Sequence, residues 1–176
     1  MQIANSIIEN LLDRFRPLLG KDFQLYKNHV YRVYLNCLLI DKQKGNEEKY
    51  AIASVFHDLG IWTDHTFDYL VPSIEQLKLY LAEVEKNFLL EEITLMIDWH
   101  HKMSVYNGVH EEVVETFRKA DWIDLSIGLK CFGHPKDEIK ANRKLLPNSG
   151  FHWFLLKMSL KNFIRHPFNP LPMFKK

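Results

Sequence analysis

The adjacent pair His57-Asp58, set just before Gly60 at the end of an apolar run, puts an imidazole and a carboxylate side by side in the chain. Two more ligand-type residues flank the pair, His29 upstream and Asp121 downstream. Imidazole nitrogen and carboxylate oxygen together suit a divalent first-row metal, and such a metal makes hydroxide from water at neutral pH. A second pair, His100-His101, continues the helical face marked by Ile93, Met96 and Ile97, so both imidazoles flank one apolar stripe. Cations stand close by. Lys102 directly follows the second pair, while Arg32 and Arg118 lie one helical turn from His29 and Asp121. Cations so placed neutralise phosphate oxygens as charge builds in a transition state. The competing reading is a solvated Lys102 and two structural ion pairs.

Helices must position these side chains. Phe23, Tyr26, Val30, Val33, Cys37 and Ile40 alternate three and four apart, which is one face of an amphipathic helix, and His29 lies beside that face. Ile52, Val55, Phe56 and Leu59 mark the next buried face, with His57-Asp58 in its last turn and Gly60 as the expected C-terminal stop. Asp121 sits between Phe117 and Leu125 in mid-stripe, where an unpaired carboxylate is costly and calls for a cation, a metal or strong donors. Ser73 and Gln76 have capping-box spacing, which predicts a helix opening at Pro72-Ser73. No segment sustains period-two alternation. The expectation is an all-α fold, a single domain over 1–176 with about seven or eight helices around one core. The C-terminal helix and tail, 150–176, are apolar nearly all round, which predicts burial against the core or a partner subunit, the latter giving a homodimer. Trp62, Trp99 and Trp122 adjoin ligand candidates and serve either as a pocket wall or as core.

The order His29, His57-Asp58, Asp121, with the string HDLG, resembles the HD-domain metal-dependent phosphohydrolase superfamily over roughly residues 25–129. The resemblance implies an all-α fold with His29, His57, Asp58 and Asp121 as ligands of one divalent ion, whether Mn, Fe, Zn, Co, Ni or Mg. Dinuclear members add histidines between the His-Asp pair and the final Asp. His100 or His101 resembles one such addition, and His65 is another candidate; Asp58 would then bridge two ions. Catalytic roles on this view fall to Asp58, His100, His101 and Lys102, with Asp64 or Asp68 orienting water. The implied activity is hydrolysis of small phosphate esters or nucleotides by a metal-activated water. Hydratases and di-iron oxygenases occur in the same superfamily, and a ligand-binding sensor with a residual metal site is the non-enzymatic alternative. Cyclic-di-nucleotide phosphodiesterases are disfavoured, because Ile61 follows the string where they carry Lys and no Gly-Tyr-Pro element appears.

Bulk properties narrow the partners. With 23 basic and 22 acidic residues the net charge is +1, so no global field holds a nucleic-acid polymer. Cys37 and Cys131 lack metal-type spacing, and a reducing cytoplasm is the simplest setting. The segment MQIANSIIENLLDRF has no basic start and carries Glu9 and Asp13, unlike a signal peptide. No apolar stretch approaches the roughly 18 residues of a membrane span. A small, phosphorylated substrate is the expected partner.

Overall fold

A computed structural model describes residues 4–43, 45–169 and 171–174. The first residues of the N-terminal segment, Lys44, Pro170 and the end of the tail lie outside the described residues. The chain forms α1 (Ser6–Leu19), α2 (Phe23–Ile40), α3 (Glu47–Phe56), α4 (Gly60–Thr63), α5 (Leu70–Glu83), α6 (Leu90–Trp99), α7 (Glu111–Leu125), α8 (Lys136–Leu145) and α9 (Phe151–Arg165). Short 3-10 turns occupy Gly20–Asp22, Asn87–Leu89 and Pro172–Phe174. None of the described residues forms a strand, so the all-α expectation holds. No helix among them is long and apolar enough to cross a membrane.

Local chemistry sets the helix ends. Asn5 caps α1, its side chain accepting from the N–H groups of Ile7 and Ile8 at 3.0 and 3.2 Å, which satisfies donors that have no partner inside the helix. Ile8, Leu11, Leu12, Phe15 and Leu19 then bury one side of α1. Helix α2 runs through the middle, packed beside α7 and α3, and its stripe from Phe23 to Cys37 is buried as its spacing predicts. The flank beside that stripe is buried too, although Asn28, His29, Arg32 and Asn36 line it. A buried polar flank needs partners. They lie on α7, which carries Asp121 and Asp124, and in the loop before α9.

Three expectations require correction. Helix α3 stops at Phe56, His57 to Leu59 form turns, and Gly60 begins α4 instead of ending a helix in the left-handed conformation. Its requirement for glycine is steric. A Cβ there would run into the Tyr69 carbonyl oxygen and lie 2.9 Å from both Pro72 Cβ and Ser73 N. Ser73 does not open a helix, since α5 already starts at Leu70; its hydroxyl instead accepts the Gly60 N–H at 2.9 Å. Pro72 is accommodated because the first turn has no use for its missing N–H. Finally, this chain's own core does not cover α9 all round. Only Phe151 is fully covered, Phe154, Leu155 and Met158 pack on the core, and Trp153, Leu156, Leu160, Phe163 and Ile164 face solvent. One straight helix laid across a bundle can offer only one row to it.

Gly60→Ala is therefore expected to lower stability by about 1–3 kcal/mol through overpacking at the α4–α5 contact. Urea denaturation of the variant checks this, and an unchanged midpoint would refute the steric account.

Candidate metal centre

The ends of α3 and α6 deliver histidines by the same local device. His57 and His100 each stand just past the last helical residue, and each donates its Nδ1–H to the carbonyl three residues back, Ser54 at 2.9 Å and Ile97. Those carbonyls belong to the last turn, where intrahelical donors run out. With Nδ1–H so fixed, the neutral imidazole carries its lone pair on Nε2, which is aimed inward. His29, in the middle of α2, has no such carbonyl. Its Nδ1–H goes to Asp124 Oδ2 at 2.7 Å, and Nε2 again faces the interior. His101 is reversed: Nε2 pairs with the Tyr69 hydroxyl and Nδ1 points in, and with Nε2 as the donor of that bond Nδ1 holds the lone pair a metal would take.

Two carboxylates receive these four nitrogens. Asp58 Oδ2 lies 3.5 Å from His29 Nε2 and 3.4 Å from His57 Nε2, while its Oδ1 lies 3.5 Å from His100 Nε2. Asp121 divides in the same way, with Oδ1 at 3.8 and 3.7 Å from His29 and His57 and Oδ2 at 3.6 Å from His101 Nδ1. Two donor nests thus share both carboxylates. The resemblance anticipates a bridge from Asp58 alone; Asp121 spans the nests as well. Donors on a common ion at ~2.1 Å lie roughly 3.0–3.4 Å apart. The observed separations sit at or just above that range, so small shifts of side chains would close both nests.

Unmet polar groups test whether an ion belongs here. Asp58 Oδ1, Asp121 Oδ2, His100 Nε2 and His101 Nδ1 are all buried without a hydrogen-bond partner. Each such group costs about 1–3 kcal/mol. His29 Nε2 also faces His57 Nε2 at 2.9 Å, a contact that needs a proton or a cation between two lone pairs. The residues fit a metal, and His29, His57 and Asp58 form one metal-competent group while Asp58, His100 and His101 form another.

Titration reflects the same crowding. Burial opposes charge on His29, but Asp124 and Asp58 outweigh it and raise its pKa to about 9. Burial, reinforced by the other imidazoles, pulls His57 down to about 3 and His101 well below the ordinary histidine range. Asp58 overcomes its burial through His57, His100 and His29 and stays ionised far below the usual carboxylate range. Burial pushes Asp121 up to about 7 even though His100 and His29 oppose it. Asp124 is held low against its burial by His29 and Arg32.

Other sequence candidates fall elsewhere. Asp64 is exposed and takes the Thr63 hydroxyl at 2.7 Å; Asp68 is exposed too. His65 is exposed and lines a separate cavity with Lys161 and Arg165, because the turn after α4 swings it to the surface. Lys102 is buried with Nζ 3.5 Å from the Met173 carbonyl. Arg32 grips Asp124 with two nitrogens at 2.6 and 2.9 Å, and Arg118 grips Glu115 at 2.6 and 2.8 Å rather than Asp121. Trp62 stacks on Phe154 and lies tilted against Tyr26, Trp99 meets Tyr106 edge-on, and Trp62 through Tyr26 and Trp122 through Phe174 each come within one ring of a cluster histidine. Both cysteines are free thiols. Sequence reasoning missed Asp124 and Tyr69. Asp124 had a signal, since it follows Asp121 by one helical turn, whereas nothing in the sequence links Tyr69 to His101. No family model, curated protein or solved structure matches the chain.

The titrations predict a pH response. With a folded pKa of about 9 against an ordinary 6.5, His29 stabilises the metal-free protein fully below pH 6.5, and that contribution is lost as pH rises towards 9. Asp121 acts in the same sense between its ordinary 3.8 and about 7. The urea midpoint of metal-free protein should fall from pH 6.5 to 9, and saturating metal, which takes the deprotonated ligands, should remove the fall. A flat profile without metal would contradict the assignment.

Proposed function

We propose that this chain is a metal-dependent hydrolase of the HD-domain type, acting on small phosphate esters or nucleotides. One observation carries the reading: six buried donors converge, His29, His57 and Asp58 as one nest and Asp58, His100 and His101 as another, with Asp121 3.6–3.8 Å from histidines of both. Divalent ions held there supply a water ionised near neutral pH and a Lewis acid for the phosphoryl oxygen, and paired ions suit in-line displacement.

The protein's own groups hold and insulate this centre. Asp124 and the carbonyls of Ser54 and Ile97 keep three imidazoles in the metal-accepting tautomer. Phe151 stacks on His29 with centroids 4.0 Å apart, Phe117 meets His57 edge-on and Phe174 stacks on His101, so apolar rings shield the donors from bulk water. Arg32 and Arg118 are committed to Asp124 and Glu115, which leaves neutralisation of phosphate charge chiefly to the ions. That commitment also favours a second reading, a hydratase or di-iron oxygenase of a less charged substrate on the same donor set.

With Mn, Co or Mg the purified protein is expected to release phosphate from at least one member of a phosphomonoester and nucleotide panel, to lose this activity to a chelator and to regain it on adding metal. Asp58→Ala, which removes a donor from both nests, should lower turnover at least about a hundredfold and reduce bound metal, with helix content unchanged by circular dichroism. An inactive panel, tightly bound di-iron and oxygen consumption would establish the second reading instead.

A further inference from the structure

One cavity, of about 190 Å³, meets the donor cluster directly. Tyr69 and His101, hydrogen-bonded to each other, form its inner wall and border the donor cluster. Its other walls come from four separate parts of the chain: Phe67 before α5, Leu125 at the end of α7, Leu155 and Ser159 on α9, and Leu171 with Met173 and Phe174 at the C-terminal 3-10 turn. None of the described residues lining it is charged. The contrast with the neighbouring cavity is sharp. That cavity shares Phe67, is lined by His65, Lys161, Arg165 and His166, and touches no member of the donor cluster.

The C-terminal turn is a built wall rather than a loose tail. Met173 is buried, Phe174 stacks on His101 at 5.5 Å, and the Met173 carbonyl lies within reach of Lys102 Nζ. Of the six donors, His101 is the most exposed, at 9 %, so the least shielded edge of the cluster is the one that faces this cavity.

We propose that this cavity binds an aliphatic or aromatic substituent of the substrate, whose polar, oxygen-bearing head reaches the donor cluster past His101. The substrate class is therefore a small amphiphile, apolar next to the reacting group, and not a compound that carries further charge there. A charged substituent would lose its hydration against Phe67, Leu155 and Phe174 with no counter-charge in return. An apolar one gains about three- to fourfold in affinity for each methylene buried. The proposal rests on the metal-centre reading, since the head group needs the ions, but the cavity can be tested apart from it.

Isothermal titration of Mn-loaded protein with n-alkyl hydroxamates, from acetohydroxamate to octanohydroxamate, reads the cavity through a head group that binds metal whatever the reaction. The dissociation constant should fall about three- to fourfold per methylene and then level off when the cavity is full. Ser159→Phe, at a partly buried position on α9, should flatten the series while leaving metal stoichiometry and acetohydroxamate affinity unchanged. Leu155→Ala should shift the levelling point to a longer chain, which covers the case in which the bulkier variant does not fold. A series with no chain-length dependence on metal-loaded wild type would overturn the proposal. Methyl NMR of metal-free protein with 1-hexanol supplies the arm that needs no ion: shifts confined to Leu125, Leu155, Leu171 and Met173 support the cavity, and their absence sinks it. Protein that binds neither metal nor acetohydroxamate, yet shows the hexanol shifts, would overturn the hydrolase reading and retain the apolar site.

Discussion

The carboxylate of Asp124 is the interaction on which the rest of this molecule depends. It is wholly buried, and three groups meet it: His29 Nδ1 at 2.7 Å, the Arg32 guanidinium at 2.6 and 2.9 Å, and Arg143 at 2.8 Å. These contacts join α2, α7 and α8 through charge in a low-dielectric interior, where breaking a pair leaves an uncompensated ion and is strongly destabilising. They also decide the tautomer and aim of His29. Structural cohesion and ligand orientation are thus the same set of hydrogen bonds.

A second economy lies in the helix ends. An α-helix leaves its last carbonyls without intrahelical donors, and a histidine just beyond that end can satisfy one while its other nitrogen turns away. His57 and His100 both do this, so α3 and α6 need only terminate at the right place to present an imidazole with the required lone pair. Gly60 is part of that placement. By letting α5 approach closely, it fixes the turn that carries Asp58 and brings Tyr69, at the start of α5, towards His101.

The surroundings are as selective as the donors. The arginines nearest the cluster are drawn into ion pairs, the aromatic rings of Phe117, Phe151 and Phe174 lie against its imidazoles, and the adjoining cavity is walled mostly by hydrocarbon. Beyond a protonated His29, positive charge at this centre would have to come from ions held by the donors.

Periodicity at three and four residues determined by itself that the chain is helical, and residue type determined which side chains could serve as donors. His29, His57, Asp58, His100, His101 and Asp121 were all legible, because a histidine or carboxylate on an apolar face is conspicuous in one dimension. What lies opposite that face was not legible. His29 meets Asp124 across 95 residues and Tyr69 meets His101 across 32, and neither separation carries a local signal. For the same reason Asp64 and His65, near the His-Asp pair in sequence, end at the surface, while Phe174, from the far end of the chain, stacks on a cluster histidine. Helical spacing states which side is buried. Only packing of helix against helix decides the neighbours, since that depends on crossing geometry and on close approaches, such as the one at Gly60, that no single segment contains.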